Sequence, residues 1–229
     1  MILIAELSTN HGGDVELAAD MIRAAADAGA TYAKIQTYDL AKLNPADPQA
    51  DWLRQAHLDR AAHERLMAVA QKAGIGFLST PFDVGSLALL RGLGLTAFKI
   101  ASSESGARWW EPKLLERWFV SYPWGGHPTR ERHLRLTAIP LYPTPLECVG
   151  RATLLDGWSD HVIGTDACYW ALGKDARVLE VHFTTGKGRV MPWDKTPAEL
   201  AELARYMASM ETIRTGVKQQ FRDRWAHGA

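Results

Sequence analysis

Short β-rich runs alternate with amphipathic helical patterns along this chain, and that alternation restricts it to βαβ units around a parallel sheet. The strand candidates are Ile2 to Leu7, Tyr32 to Gln36, Gly76 to Thr80, Ala97 to Ser102, Trp118 to Tyr122, Leu134 to Ile139, a weak run near Gly157 to Asp160, and Arg177 to Phe183. Apolar residues recur at helical spacing over Val15 to Ala28, Asp59 to Ala73, Ser86 to Leu93, Asp166 to Leu172 and Pro197 to Arg214. Pro197 suits a first helical turn, with Thr196 as its cap. From Trp124 to His133 there is room for only a short connection. With 229 residues and no linker or repeat, the expectation is one domain, residues 1–229. It is a compact α/β fold, a (β/α)8 TIM barrel with a shortened or missing helix after strand 5.

Two of the strand-like runs end in histidine. Trp158-Ser159-Asp160-His161 and Glu180-Val181-His182-Phe183-Thr184 place the imidazoles 21 residues apart, the spacing of neighbouring strands in such a barrel. Two imidazoles at the same ends of adjacent parallel strands can share one divalent cation. His161 and His182 are therefore candidate metal ligands.

Composition narrows the function further. Lysine plus arginine equals aspartate plus glutamate, 26 of each, so nothing favours binding a nucleic-acid backbone. No apolar run is long enough to cross a bilayer, and Met1 leads directly into Ile2-Leu3-Ile4-Ala5, which is not a cleavable leader. Only Cys148 and Cys168 are present, which fits a reducing, cytoplasmic compartment. The expected partner is a small molecule.

In a barrel, chemistry gathers at the carboxyl ends of the strands. Glu6 ends the first run, Lys34 and Gln36 the second, and Ser79 and Thr80 the third. Lys99, Ser102 and Glu104 follow the fourth, Ser121 the fifth and Tyr142 the sixth; Ser159, Asp160 and His161 mark the seventh, His182 and Thr184 the eighth. Such a mouth would suit an anionic, phosphate-bearing substrate beside a metal. Lys34 and Lys99 lie inside apolar runs, where an unpaired ammonium is costly to bury. Either they pair with Glu6 or Glu104, or they hold phosphate and carboxylate groups. Asn10-His11-Gly12-Gly13-Asp14 reads as a turn followed by an aspartate cap, and the tryptophans read as core or interface material.

Taken together, Ile4-Ala5-Glu6-Leu7 with Asn10-His11, Lys34-Ile35-Gln36-Thr37, Phe77 to Asp83, Phe98 to Glu104, Tyr142-Pro143-Thr144-Pro145, Ser159-Asp160-His161 and His182-Phe183-Thr184 resemble the sialic acid synthases. That group comprises N-acetylneuraminate, pseudaminic acid and legionaminic acid synthases. The resemblance implies a TIM barrel that condenses phosphoenolpyruvate with an open-chain N-acyl amino sugar, using Mn2+ or Mg2+ and releasing phosphate. It implies that His161 and His182 hold the metal. Lys34, Thr80, Lys99, Ser102, Ser121 and Ser159 would hold phosphoenolpyruvate. Gln36, Glu104, Tyr142 and Asp194 would face the sugar, and Glu6 would be the acid/base group.

The sequence departs from the family at four places. Pro140 stands where an asparagine is usual, and Ser121-Tyr122-Pro123-Trp124 replaces Ser-Thr-Gly-Met, so Tyr122 and Trp124 are expected to reshape the mouth. Met191-Pro192-Trp193-Asp194 replaces Pro-Gly-Pro-Asp. The chain stops at Ala229 without the antifreeze-like domain the family commonly carries, which implies a more open sugar site. The tryptophans and the missing lid are compatible with a homodimer. Two other readings stand beside the synthase: a Schiff-base aldolase working through Lys34 or Lys99, and a non-catalytic or partner-dependent barrel that binds an anionic ligand.

Overall fold

The computed structural model describes residues 1–126 and 133–226, with side chains to residue 216. The chain begins β1 (Ile2–Ser8), α1 (Val15–Asp27), β2 (Tyr32–Thr37), α2 (Ala50–Ala56), α3 (Arg60–Ala73), β3 (Gly76–Pro81), α4 (Val84–Gly92) and β4 (Ala97–Ile100). It continues β5 (Arg117–Pro123), β6 (Leu134–Ala138), α5 (Leu146–Val149), β7 (Gly157–Asp160), α6 (Asp166–Gly173), β8 (Val178–His182) and α7 (Pro197–Ala226). The strands form one eight-stranded sheet in the order β3-β2-β1-β8-β7-β6-β5-β4, every ladder parallel. β3 and β4 face each other across the remaining seam, which makes a nearly closed (β/α)8 barrel. The expected short or absent helix after strand 5 falls largely on residues 127–132, outside the described residues.

Strand alternation sorts side chains to two sides of the wall. Leu3, Ala5 and Leu7 of β1 and Ala33 and Ile35 of β2 point outward and pack with Ala18, Ala19, Met21 and Ile22 of α1. Ile4, Leu78, Phe119, Leu136 and Val178 point inward and fill the amino-terminal half of the barrel with an apolar plug. One step further along the same inner face the residues turn polar, and the site begins there.

The helices start where the sequence offers caps. Asp14 accepts from the amides of Glu16 and Leu17, Asp59 from Ala62, and Asp83 from Gly85 and Ser86. Thr196 and Glu199 form a reciprocal capping box ahead of Pro197. Between β4 and β5 no α-helix forms; a single 3-10 turn, Ser102–Glu104, is followed by Trp109 and Trp110. Trp110 is fully buried, stacks on Trp118 at 5.6 Å between ring centroids, and donates its indole N–H to Glu104 O at 2.8 Å. Its ring helps cover the outer face of β5, where a helix would otherwise lie.

His11, buried in the β1–α1 loop, accepts from the Gly13 amide on Nδ1 at 3.1 Å. Burial pushes its pKa down to about 4 from the ordinary 6.5. As pH falls from 6.5 toward 4, the unfolded chain binds a proton here that the folded chain excludes, so stability falls. The loss is roughly 3 kcal/mol, complete below the folded pKa. Buried His63, also shifted downward chiefly by burial, adds in the same direction. Urea unfolding at pH 7 and pH 4.5 is expected to show this decline, and His11→Asn, which keeps an acceptor for Gly13, should flatten part of it.

Candidate active site

The carboxyl ends of the strands open into a cavity of about 520 Å³. Register explains who meets whom at its base: Glu6 stands opposite Lys34 on one side and His182 on the other, Gln36 opposite Thr80, and Ser159 opposite Glu180. These residues share the inner face because each lies an even number of positions from an inward neighbour.

The floor is a buried layer of two lysines and two glutamates. Lys34 pairs with Glu6 at very short range and with Glu180 at 3.3 Å, and donates to Thr80 Oγ1 at 2.7 Å. Lys99 donates to Ser121 Oγ at 2.8 Å and Ile100 O at 2.9 Å, and lies 3.2 Å from Glu180. Ser159 donates to Glu180 at 2.6 Å, and Gln36 donates to Glu6 and to Ser8, each at 3.2 Å. All four charged residues are at most 4% exposed. Each ammonium has partners for all three of its protons, so the charges compensate within the layer.

Their proton affinities diverge. Burial opposes ionisation of Glu180, but Lys99 and Lys34 outweigh it and hold its carboxyl well below the usual range. Burial raises the pKa of Glu6, and the negative charge of Glu180 adds to the rise against the pull of Lys34. Burial opposes the charge on Lys34 too, yet Glu6 and Glu180 keep its pKa above the ordinary value, whereas burial prevails at Lys99 and lowers it. The two carboxylates are thus shifted in opposite directions, the separation that acid/base chemistry uses.

Above this layer stand the imidazoles, their ring centroids 5.4 Å apart. His161 Nδ1 donates to Ile139 O at 3.0 Å, which leaves the lone pair on Nε2. Burial pushes both histidines down, with mutual repulsion adding at His182, so both are neutral near pH 7. Two neutral imidazoles with one tautomer fixed by a carbonyl fit a divalent first-row cation. Among the described residues no group of three or more His, Cys, Asp or Glu forms a ligand cluster. Tyr142 stacks over His161 at 4.0 Å between centroids and meets Trp193 at 5.5 Å.

A second buried ion pair secures the loops behind the imidazoles. Lys195, 1% exposed, lies 2.8 Å from Asp160, itself fully buried, and donates to Val162 O at 2.7 Å and Trp193 O at 3.1 Å. It thereby ties the segment after β7 to the segment after β8.

The cavity brings together Glu6, Lys34, Gln36, Thr80, Lys99, Ser102, Ser121, Tyr142, Ser159, His161 and His182. Glu104 and Asp194, expected to face a sugar, are not among its lining. Glu104 accepts from the Trp109 indole at 3.0 Å. Asp194 Oδ2 accepts from Asn10 Nδ2 at 2.9 Å and the Met191 amide at 2.8 Å, while its Oδ1 lies 3.9 Å from His182 Nδ1. The bland pairing of Lys34 with Glu6 exists, but the shared counter-ion of the two lysines is Glu180 rather than Glu104. Tyr122 and Trp124 do not line the mouth: alternation turns Tyr122 away from Ser121 into the outer cluster with Trp118, and Trp124 sits on a turn. Sequence reading missed Glu180, although its position two residues before His182 puts it on the same face. It also missed Arg189, Met191 and Trp193, which line the cavity from a loop with no periodic signal.

Comparison with known proteins agrees with this geometry. Residues 21–108 match the model of the NeuB family. The chain is 31% identical to an N,N'-diacetyllegionaminic acid synthase of Campylobacter jejuni, over 88% of this chain and 73% of that one. It is 26% identical to the mouse N-acetylneuraminate-9-phosphate synthase, over 91% and 70% of the two chains. A crystal structure of the N-acetylneuraminic acid synthetase of Leptospira borgpetersenii superposes with a TM-score of 0.78 at 23% identity, covering 99% of this chain and 92% of that one. Identity sustained over most of both sequences, on a barrel of the same fold, makes this protein a member of the NeuB family of synthases.

Proposed function

We propose that this protein condenses phosphoenolpyruvate with the open-chain aldehyde of an N-acyl amino sugar, in the presence of Mn2+ or Mg2+, to give a sialic-acid-type 2-keto acid and inorganic phosphate. The observation that carries the reading is the pairing of two neutral imidazoles with a compensated Lys/Glu layer directly below them, in one cavity. The named synthases among its relatives support the same chemistry.

The chain's own residues divide the work. Lys34 and Lys99 supply positive charge in a dry site, and Thr80, Ser102, Ser121 and Ser159 supply hydroxyls for an incoming phosphate and carboxylate. Glu180 opposes, at both ammoniums, the proton loss that burial favours. In the condensation the third carbon of phosphoenolpyruvate bonds to the aldehyde carbon, the aldehyde oxygen takes a proton, water adds at the second carbon, and phosphate leaves with its C–O bond broken. Glu6, whose pKa burial raises, is the group that holds and returns a proton. Gln36 and Tyr142 contact the sugar. A cation held by His161 and His182 would supply Lewis-acid polarisation of the aldehyde. Two free thiols suit a cytoplasmic setting.

The Schiff-base alternative has little structural support, because a lysine nucleophile needs a free lone pair and each Nζ is committed to three partners. Phosphate release from phosphoenolpyruvate with Mn2+ and N-acetylmannosamine or a related amino sugar tests the proposal. Release should require both acceptor and metal, and His161→Ala should reduce it by at least about a hundredfold. Borohydride trapping of a pyruvate–lysine adduct would instead support the aldolase.

A further inference from the structure

The charged groups of the cavity lining are Glu6, Lys34, Lys99, Glu180 and Arg189, beside the neutral histidine pair. The first four compensate one another at the floor. Arg189 has a looser partner: among the described residues no carboxylate lies within 4.0 Å of it, and Asp194 of the same loop interacts with it from farther away. The lining therefore presents a guanidinium with no carboxylate in direct contact, on the wall formed by the β8–α7 loop.

That guanidinium sits on a built seat. Its Cζ lies over the Trp52 ring, 5.2 Å from the centroid, and Nη1 donates to Gln49 Oε1 at 3.2 Å. Trp52 is itself fixed by donating to Thr9 Oγ1 at 2.9 Å. The Arg189 amide donates to Asn10 O at 2.8 Å, which ties this loop to the one after β1. Gly188 makes that crossing possible: its φ is +72°, and a Cβ there would meet Asn10 O at 2.2 Å. A guanidinium has five N–H donors, and this one spends a single donor on a neutral amide oxygen. The Trp52 ring and the Gln49 amide position the guanidinium, and among the described residues its other four donors have no hydrogen-bond partner, an arrangement that suits bidentate capture of a phosphate or carboxylate.

We propose that Arg189 is a specificity residue that selects acceptor sugars bearing an anionic group, phosphate or carboxylate, at the end distant from the aldehyde. The inference rests on the condensation reading above. It goes beyond it by assigning the acceptor's charge, since phosphoenolpyruvate has its own cationic floor in Lys34 and Lys99.

Calorimetric titration of the Mn2+-loaded protein with N-acetylmannosamine, its 6-phosphate and the corresponding 6-carboxylate tests the assignment independently of turnover. One or both anionic sugars should bind at least about tenfold more tightly than the neutral one, and which of them does so identifies the anion. Arg189→Gln should abolish the difference while leaving the neutral sugar and phosphoenolpyruvate unchanged, with Arg189→Lys intermediate. Equal affinity for all three sugars in the wild type would overturn the proposal. So would an Arg189→Gln variant that loses affinity for charged and neutral sugars alike, or for phosphoenolpyruvate instead. If an anionic sugar binds through Arg189 but no acceptor yields phosphate, the condensation reading fails and the anion site stands.

Discussion

Glu180→Gln is expected to cost the protein both stability and turnover, although glutamine keeps the shape and a hydrogen bond to Ser159. The substitution removes the negative charge shared by Lys34 and Lys99. It leaves Glu6 as the only carboxylate for two buried ammoniums, and breaking a buried pair in this way costs about 3 kcal/mol. Activity should fall on the order of a hundredfold, because the site's preorganised charge is lost with it. A purely structural role would not move the pH profile. Here Glu180 helps to raise the pKa of Glu6, so its neutralisation should lower that pKa and shift the acid limb of kcat/KM to lower pH. Steady-state rates across pH 5 to 8, roughly the physiological window, would reveal the shift.

Lys195→Met should be the most destabilising single change at the mouth. It strips Asp160 of its ammonium and leaves a fully buried carboxylate with the Trp158 indole, 2.8 Å away, and the Cys168 thiol as donors. The expected loss is about 3–5 kcal/mol, or roughly 10 °C in Tm for a chain of this size. Because Lys195 also ties the carbonyls of Val162 and Trp193, the loops that carry Tyr142's neighbours should loosen, and the KM for the sugar should rise more than the KM for phosphoenolpyruvate. The double variant Asp160→Asn, Lys195→Met should regain part of the stability, since it removes the stranded charge; thermal unfolding of the three variants measures the coupling.

The barrel was legible because its strands and helices announce themselves by period, and the histidines ending β7 and β8 were legible because strand ends are where parallel barrels concentrate chemistry. Glu180 was equally available from the two-residue period of β8, but it looked like one more residue in an apolar run. Local sequence does not tell which way a loop carboxylate turns: Glu104 accepts from the Trp109 indole, and Asp194 accepts from Asn10 while its other oxygen lies 3.9 Å from His182. Tyr122 shows the reverse error: alternation with Ser121 would have placed it outside. The Arg189 seat lay beyond any local signal, because it joins α2 to a loop more than a hundred residues later. Nor does periodicity reveal that a buried tryptophan, Trp110, would cover β5 in a connection without an α-helix.

The central claim is that a carbon–carbon bond forms while phosphate leaves by C–O cleavage. Phosphoenolpyruvate labelled with 18O at the bridging oxygen tests it directly when incubated with the protein, Mn2+ and a panel of neutral and anionic N-acyl amino sugars. The account predicts one labelled phosphate for each 2-keto acid product, with the label absent from the product. Product that retains the bridging oxygen, or label-free phosphate released without any new carbon–carbon bond, would contradict it.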